Sequence, residues 1–292
     1  METNYCPLFT VVTRNHNRYN LTKTFIEEIE NIDYPNKNIL IIDDGSTDGS
    51  GERIQKEFKD RVRVIFSKKY VEYCKGLNIG IRYALENFST DYFFIINNDT
   101  RNFSKNYFYK SLEYFNKYDN IGKFGSLVFD YDKKPRGGGA LMHKLGVDLV
   151  TPTEGYIIPT KVFQKIGLFD ESLVRYFEDL DLIIRMNRNN LITIADKTIS
   201  FEHLGGGTTK HMPFVRNFYR VRNLIWFIKR HLKDEPFLKK LRYFKGYMRN
   251  HYLNLLDPLK KLHFFHAFKV LVSIILGVIM GIVKSWNPKI KI

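Results

Sequence analysis

Cysteine is scarce in this chain, and two common nucleotide-binding motifs are missing. Cys6 and Cys74 are the only cysteines among 292 residues, too few for a disulfide framework or a cysteine-based zinc site. Neither G-x-G-x-x-G nor G-x-x-x-x-G-K-[ST] occurs, which disfavours a dinucleotide-dependent dehydrogenase and a P-loop nucleoside triphosphatase. This scarcity of cysteine fits a reducing cytosol. The apolar run Leu8–Val12 is too short for a signal peptide.

The chain also lacks an even spread of charge. Its net charge is +15, and residues 210–292 hold 18 Lys and Arg against three acids, which accounts for the whole excess. Residues 1–209 are therefore neutral, and a polyanionic partner for them is not expected. The basic last third is expected to contact an anionic surface. Its long aliphatic runs favour a membrane surface over nucleic acid.

Strand-like and helix-like segments alternate along the first two thirds of the chain, which predicts an α/β fold with a mostly parallel sheet flanked by helices. Helices are also predicted at 104–118, 160–166 and 178–189, and a glycine-rich loop at 135–139. The predicted strands are Leu8–Thr13, Asn38–Asp43, Arg61–Phe66, Tyr92–Ile96, Leu191–Ala195 and Thr198–Glu202, and the early helices are Leu21–Glu30, Gly51–Phe58 and Gly76–Phe88.

A change in character near residue 210 predicts two parts, residues 1–210 and a basic, amphipathic helical extension at 211–292. Three helices are expected there, at 213–233, 236–255 and 259–284. The uncharged stretch Val270–Val283 rises only ~21 Å as a helix, against a hydrocarbon core of ~30 Å. An interfacial helix is therefore favoured over a membrane span or a buried core helix. Ser273, Gly277 and Gly281, four residues apart, would let another helix approach closely.

Polar residues follow three of the predicted strands. These groups are Thr13–Asn15, Asp43–Ser46 and Asn97–Thr100. In open parallel sheets the carboxyl ends of the strands share one rim, where ligands bind. Each group alone fits a simple turn. Three together favour a ligand site.

Seven segments stand out by their order and spacing: Phe9–Thr13, Asp43–Asp48, Gly76–Gly80, Asn97–Thr100, Val162–Glu171, Glu178–Leu182 and His203–Gly207. Together they resemble the inverting glycosyltransferases of family two. The resemblance covers about residues 7–210 and extends weakly to 219–223. It implies the GT-A fold and transfer of a sugar from a nucleoside diphosphate, and it is greatest for rhamnosyl-type transferases of surface polysaccharide and cell-wall assembly.

The resemblance implies roles for the residues at the rim. Asp43 would accept a hydrogen bond from the imide N–H of uracil or thymine, since an ionised carboxylate only accepts. Thr13 and Asn15 would flank the base, so a UDP or dTDP sugar is the expected donor. An Asx turn is the alternative for Asp43. The other nucleotide-sugar ligands expected are Asp44, Lys75, Asn78, Asn97 and Asn98, with Lys75 either at the diphosphate or simply solvated.

Asp99 and His203 are the metal ligands that the resemblance implies. A carboxylate, an imidazole and the donor's phosphates suit Mg²⁺ or Mn²⁺. The family usually has an acid at the position of Asn97. Asparagine there removes one charge from the site.

Asp179 is the expected general base, because crowding and partial burial of carboxylates raise their pKa. Neighbours on a helix diverge by about 100°, so Glu178, Asp179 and Asp181 are not expected to share one task. Glu178 and Asp181, with Gly155 and Tyr156, are assigned to the acceptor or sugar pocket. Helix capping is the alternative for the two acids, and a turn with a core tyrosine the alternative for the other pair. Transfer by single displacement would invert the anomeric carbon.

The expected acceptor is a glycan or a polyprenyl-linked sugar. Arg220 or Arg222 could contact a lipid-linked pyrophosphate bidentately. The enzyme is then expected at the cytosolic face of the plasma membrane, as a peripheral protein without nucleic-acid partners. The alternative is a non-catalytic saccharide- or nucleotide-binding protein on the same fold, which Asn97 favours.

Overall fold

The computed structural model describes residues 5–130, 132–133, 154–205, 213–260 and 264–283. The predicted loop at 135–139 and the glycines 206–207 lie outside these ranges. Within them the chain folds as one sheet covered by helices on both faces.

The first four strands alternate with helices, and the bounds of these four strands lie within two residues of the prediction. Each strand is a short apolar run, which suits a sheet buried on both faces. The elements are β1 (Phe9–Asn15), α1 (Tyr19–Glu30), β2 (Lys37–Asp43), α2 (Ser50–Phe58), β3 (Arg63–Phe66), α3 (Tyr73–Asn87) and β4 (Tyr92–Ile95).

The second half adds two strands inside the sheet that the sequence did not predict, at Ile121–Phe129 (β6) and at Tyr156–Pro159 (β7). The two strands predicted at 191–195 and 198–202 are one strand, β8, with an irregularity where Asp196 pairs with Ser126 and Ser200 with Leu127. The elements are β5 (Thr100–Arg101), α4 (Tyr107–Lys117), β6 (Ile121–Phe129), β7 (Tyr156–Pro159), α5 (Thr160–Ile166), α6 (Glu178–Arg188) and β8 (Ile192–His203).

The strand order is β3-β2-β1-β4-β7-β6-β8-β5. The pairs β1–β2, β2–β3, β1–β4 and β6–β8 are parallel, whereas β7 runs antiparallel to β4 and β6, and β5 antiparallel to β8. Because β7 is reversed, Tyr156 at its start pairs with Ile95 at the end of β4. Thr100 pairs with His203 in the same way. Residues from several distant segments thereby meet at one rim.

Two apolar layers hold the sheet between its helices. One side joins the sheet to α1, α2 and α4 through aromatic residues such as Phe9 and Phe108, whose rings stack with centroids 4.4 Å apart. The other joins it to α3, α5 and α6. Burial of each such side chain contributes about 1.5–3 kcal/mol.

Three C-terminal helices follow, α7 (Pro213–His231), α8 (Phe237–Lys260) and α9 (Phe264–Val283). Trp226 of α7 is buried in the same apolar layer as α6. Helix α9 packs on α7 through Gly277 and Gly281, where a Cβ atom would lie 2.8 Å from the Phe218 carbonyl oxygen and 2.9 Å from Ile225 Cβ. None of the helices described here is both long and apolar enough to cross a membrane.

Candidate active site

A chain of hydrogen bonds joins the ends of β4, β1 and β2. Asn98 Nδ2 donates to Thr22 Oγ1, and Thr22 Oγ1 donates to Asn15 Oδ1, each over 2.7 Å. Asn15 Nδ2 donates to Asp43 Oδ2, also over 2.7 Å. Three of the residues predicted for the nucleotide therefore lie in one network, with Thr22 of α1 as the link that the sequence did not reveal.

The Asp43 carboxylate keeps some accepting capacity. Its Oδ1 accepts from the Ser46 amide at 3.0 Å, and its Oδ2 accepts from Ser46 Oγ at 2.8 Å as well as from Asn15. A carboxylate offers about four acceptor positions, and three are used. The Thr13 hydroxyl, on the neighbouring strand β1, is buried and has no hydrogen-bond partner among the described residues. Both groups therefore have hydrogen-bonding capacity that the described residues do not use.

Asp44 is used inside the protein instead. Its carboxylate forms an ion pair with Arg14 and accepts from the Val71 amide at 2.5 Å, and it is fully buried. Arg14 in turn donates to the Val71 carbonyl at 2.8 Å. The predicted contact of Asp44 with the nucleotide is therefore replaced by a role in fixing the loop before α3.

Asp99 and His203 face each other across the rim. Asp99 Oδ1 lies 2.9 Å from His203 Nε2, and Glu154 Oε2 lies 2.8 Å from His203 Nδ1. Burial lowers the pKa of His203, but the hydrogen bonds to the two carboxylates outweigh it and raise that pKa to about 9. Glu154 thus orients the imidazole from behind.

The donor chemistry of Asp99 and His203 fits a divalent cation. A carboxylate oxygen and an imidazole nitrogen point at one another, and the imidazole would lose its proton on binding the ion. Among the residues described, no group of three or more His, Cys, Asp or Glu could hold a metal. Asp99 and His203 would supply part of the coordination of such an ion, and phosphate oxygens and water can complete it, as is usual for Mg²⁺.

Asp179 lies at the start of α6 against the start of β7. Tyr156 donates its hydroxyl to Asp179 Oδ1 over 2.7 Å. Burial raises the pKa of Asp179, while the charge of Lys123 and the bond from Tyr156 oppose that rise. Burial and then the charge of Asp179 raise the pKa of Glu178 to about 8. The pair therefore holds a proton more readily than exposed carboxyls do.

The segment before α6 has an uncommon backbone. Val174, Tyr176 and Phe177 all have φ between 65° and 71°, which side chains rarely adopt. Asn223 of α7 donates to the carbonyls of residues 173, 175 and 176 at 2.8, 2.8 and 2.9 Å. Arg222 donates to the carbonyls of residues 172 and 173, each over 2.9 Å. Helix α7 therefore holds the turn that presents Asp179.

Several predicted site residues have other partners. Asn78 donates to the Phe169 carbonyl at 2.8 Å and accepts from the Phe169 amide at 3.1 Å, so it fixes a buried loop. Asp181 lies in ion pairs with Arg185 and Arg230, 2.8 and 3.1 Å apart, rather than in the pocket. The ion pair of Asp181 with Arg230 joins α6 to α7.

The remaining predicted residues differ in their surroundings. Gly155 has φ +63°, and a Cβ atom there would lie 2.3 Å from Phe201 Cζ, so the turn and its packing require glycine. Arg222 is buried against carbonyls and is not available to a pyrophosphate. Asn97 accepts from Tyr73 at 3.4 Å, Lys75 is exposed at the start of α3, and Arg220 lies 4.8 Å from the Tyr176 ring centroid.

Sequence reasoning missed Glu154, Lys123 and Asn223. Glu154 directly precedes the predicted Gly155 and Tyr156, so its place in the sequence was a usable signal. Lys123 stands alone in an otherwise small and apolar run, and that isolation is the only sign of burial. Asn223 ends the segment 219–223 that the resemblance reached weakly.

Relatives in sequence carry the name glycosyltransferase. An uncharacterized glycosyltransferase of Rickettsia felis is 25% identical over 201 residues, which is 63% of this chain but only 32% of that relative. The dTDP-rhamnosyl transferase RfbF of Shigella flexneri is 27% identical over 209 residues, 63% of this chain and 68% of that protein. An uncharacterized glycosyltransferase of Rickettsia prowazekii is 25% identical over 83% of both chains. The chain thus spans about a third of the first relative.

Solved structures share the fold at low sequence identity. The mannosyltransferase PcManGT from Pyrobaculum calidifontis, in complex with GDP-Man and Mn²⁺, superposes with a TM-score of 0.59 at 12% identity, covering 96% of this chain and 87% of that one. Staphylococcus aureus TarS 1–349 gives 0.60 at 15% identity over 93% and 81%. The sheet is therefore of the GT-A type. Since the family description "Glycosyl transferase family 2" matches residues 10–177, more than half of the sequence, the chain belongs to glycosyl transferase family 2.

Proposed function

We propose that this protein is an inverting transferase that moves a sugar from a nucleoside diphosphate to a hydroxyl of a glycan or a lipid-linked acceptor. One observation carries the proposal. Glu154 contacts His203, and Tyr156, two residues later, donates to Asp179. The short segment 154–156 therefore links Asp99 and His203, which suit a cation, with Asp179, which suits a general base.

The donor is proposed to be a dTDP or UDP sugar. The accepting position left on Asp43 suits the imide N–H of thymine or uracil, beside Asn15 and the unpartnered Thr13 hydroxyl. One relative is named a dTDP-rhamnosyl transferase, and TarS was solved with UDP-GlcNAc. These names make dTDP-rhamnose the first donor to test and UDP sugars the second.

The chemistry proposed is a single displacement. Asp179 takes the proton of the acceptor hydroxyl while its oxygen forms a bond to the anomeric carbon. The bond from that carbon to the diphosphate breaks, and the diphosphate leaves with the electron pair. Attack from the opposite side inverts the configuration. A divalent cation, Mg²⁺ or Mn²⁺, held by Asp99 and His203 would offset the charge that develops on the diphosphate. The raised pKa of buried Asp179 suits a base near neutral pH.

The C-terminal helices are proposed to hold the enzyme on an anionic membrane surface as a peripheral protein. Residues 210–292 carry the whole net positive charge. Helix α9 exposes one apolar face, with Leu271, Ile275 and Ile279 at 44%, 48% and 48% exposure, while its small residues pack on α7. Basic residues beside an unpartnered apolar stripe suit a bilayer interface. A polyprenyl-linked acceptor would lie in the same plane, with Arg220 as a contact for its pyrophosphate.

A binding screen followed by a turnover assay tests the function. Stabilisation of the protein against heating by one class of nucleoside diphosphate sugar, greater with Mn²⁺ than without, is expected. With that donor, Asp179→Asn is expected to lower kcat by about 10²–10⁴-fold while the donor Kd stays unchanged. Asp60→Asn, a matched change at an exposed aspartate, serves as the control.

Two results would count against this function. Near-normal turnover in Asp179→Asn would remove the base from Asp179. Measurable donor binding by the wild-type protein, with neither transfer nor hydrolysis, would select a saccharide- or nucleotide-binding protein instead.

A further inference from the structure

Lys123 is a buried cation that the proposed chemistry does not yet use. It lies on β6 with 1% of its surface exposed, and its Nζ has no hydrogen-bond partner among the described residues. A buried ammonium without partners is costly unless charges nearby balance it. Burial lowers the pKa of Lys123 to about 8, and Asp179 and then Glu178 oppose that effect. Asp179 of α6, whose effect is the larger of the two, is therefore the charge that balances Lys123.

Tyr156 connects the lysine to Asp179. Lys123 Nζ lies 4.0 Å from the centroid of the Tyr156 ring, a distance typical of a cation–π contact. The hydroxyl of the same ring donates to Asp179 Oδ1 over 2.7 Å. The cation and the carboxylate thus contact two parts of one buried side chain, with Lys123 on β6, Tyr156 on β7 and Asp179 at the start of α6.

The other ionisable groups that act on the two acids do not replace this cation. Glu178 is protonated near neutral pH because of its raised pKa, Glu154 raises the pKa of Asp179 further, and Tyr73 and Cys74 of α3 are neutral because burial raises the pKa of each. Arg175 acts on Glu178 but is paired with Glu72 at 2.6 Å. Lys123 is therefore the cation that acts on both Glu178 and Asp179.

We propose that Lys123 is a positioning residue for the transfer reaction, whose positive charge behind Tyr156 keeps the Asp179 carboxylate ionised inside the protein, ready to accept the acceptor's proton. The proposal rests on the role of Asp179 in the proposed function. It assigns to β6 an electrostatic part in the reaction, although the side chain reaches neither donor nor acceptor.

The pH profile of kcat/KM tests the charge rather than the packing. Lys123→Met keeps the length and removes the charge, so Asp179 then ionises at a higher pH. The acidic limb of the profile is expected to move up by about one unit, since an opposite charge nearby lowers a carboxyl pKa by about 1–3 units. Activity then falls about tenfold on that limb and recovers near pH 9. The donor Kd is expected to stay unchanged.

Lys123→Arg retains the charge and is expected to keep the limb of the wild type. A limb that does not move in Lys123→Met, or a loss of activity that is equal at every pH, would overturn the proposal in favour of packing alone. So would a limb displaced equally in Lys123→Arg. Cooperative thermal unfolding checks that each variant folds. If Lys123→Met does not fold, Lys123→Gln, which also removes the charge, replaces it in the same experiment.

Failure of the proposed function gives a different pattern. In that case Asp179→Asn turns over at the wild-type rate, or the wild-type protein transfers no sugar at all. A wild-type enzyme that needs Asp179 but is indifferent to the charge at position 123 contradicts only the role of Lys123.

Discussion

Glu178 and Asp179 are adjacent acids with different surroundings. Asp179 accepts a hydrogen bond from Tyr156, whereas Glu178 Oε2 is buried without a hydrogen-bond partner in the part of the chain that the structure describes. Burial and the charge of Asp179 raise the pKa of Glu178 to about 8. In the proposed function Asp179 acts as the base, and Glu178 stays protonated beside it near neutral pH.

Stability should depend on pH through Glu178. A carboxyl whose pKa is higher in the folded state than in the unfolded state stabilises the fold at low pH. That stability is lost as the pH rises from about 4.5 towards 8. Glu178→Gln stays neutral throughout. Its melting temperature is therefore expected to exceed that of the wild type by a few degrees at pH ~9 and to match it at pH ~5.

Thermal unfolding at the two pH values measures this difference. Glu52→Gln, an exposed glutamate in the first turn of α2, is the matched control and is expected to behave alike at both. A difference between Glu178→Gln and the wild type that is the same at pH ~5 and pH ~9 would contradict the account.

At the scale of elements, the sequence predicts best where one local pattern decides the structure. Strands β1 to β4 are apolar runs bounded by turn residues, and local composition is sufficient to predict them. Strand β6 contains Gly122, Lys123 and Ser126, which interrupt the apolar run. Asp196 bonds to Thr198 within β8, a turn-like contact that resembles a break between strands.

The same limit applies to the site. Asn15 and Asp43 end β1 and β2, and Asn98 follows β4, so parallel pairing brings them together and the sequence predicts their position. Asp44, Asn78 and Asp181 have the same residue types at similar positions. Their partners come from distant segments, and only the tertiary fold decides that they bind protein rather than ligand.

Helix α7 gives a prediction at this scale, because Asn223 holds the turn before α6. Asn223→Ala leaves three carbonyls without their donor and is expected to lower the free energy of unfolding by roughly 2–4 kcal/mol. Since the turn positions Asp179, kcat is expected to fall by about 10–100-fold while the donor Kd changes little.

Unfolding curves and a comparison of kcat with donor Kd measure the two effects. Asn187→Ala, an exposed asparagine on α6, is the control and is expected to change neither. A variant at position 223 that loses stability but keeps the wild-type kcat would show that the turn is structural only.

The whole molecule has an unequal distribution of charge and exposed apolar surface. The body is neutral, and the last third has the net charge of +15. The same third exposes the apolar face of α9, while α7 is joined to the core through Trp226. A membrane that binds these helices, as proposed, would be connected through α7 to the turn before Asp179.

Binding to lipid vesicles tests this arrangement. Vesicles that contain phosphatidylglycerol are expected to bind the protein more tightly than phosphatidylcholine vesicles, and raising the salt concentration from ~0.1 to ~0.5 M is expected to weaken that binding.

Ile275→Asp places a charge on the apolar face of α9 and is expected to weaken binding roughly tenfold or more, because burying an isoleucine contributes about 1.5–3 kcal/mol. Ile192→Asp, at an isoleucine with 39% exposure on β8, is the matched control and is expected to bind as the wild type. Co-sedimentation measures the binding of the wild type and of both variants. If the wild type and Ile275→Asp bind equally well, and each binds both kinds of vesicle equally, a role for α9 is contradicted. Neither the charge nor the apolar face would then direct the protein to the membrane.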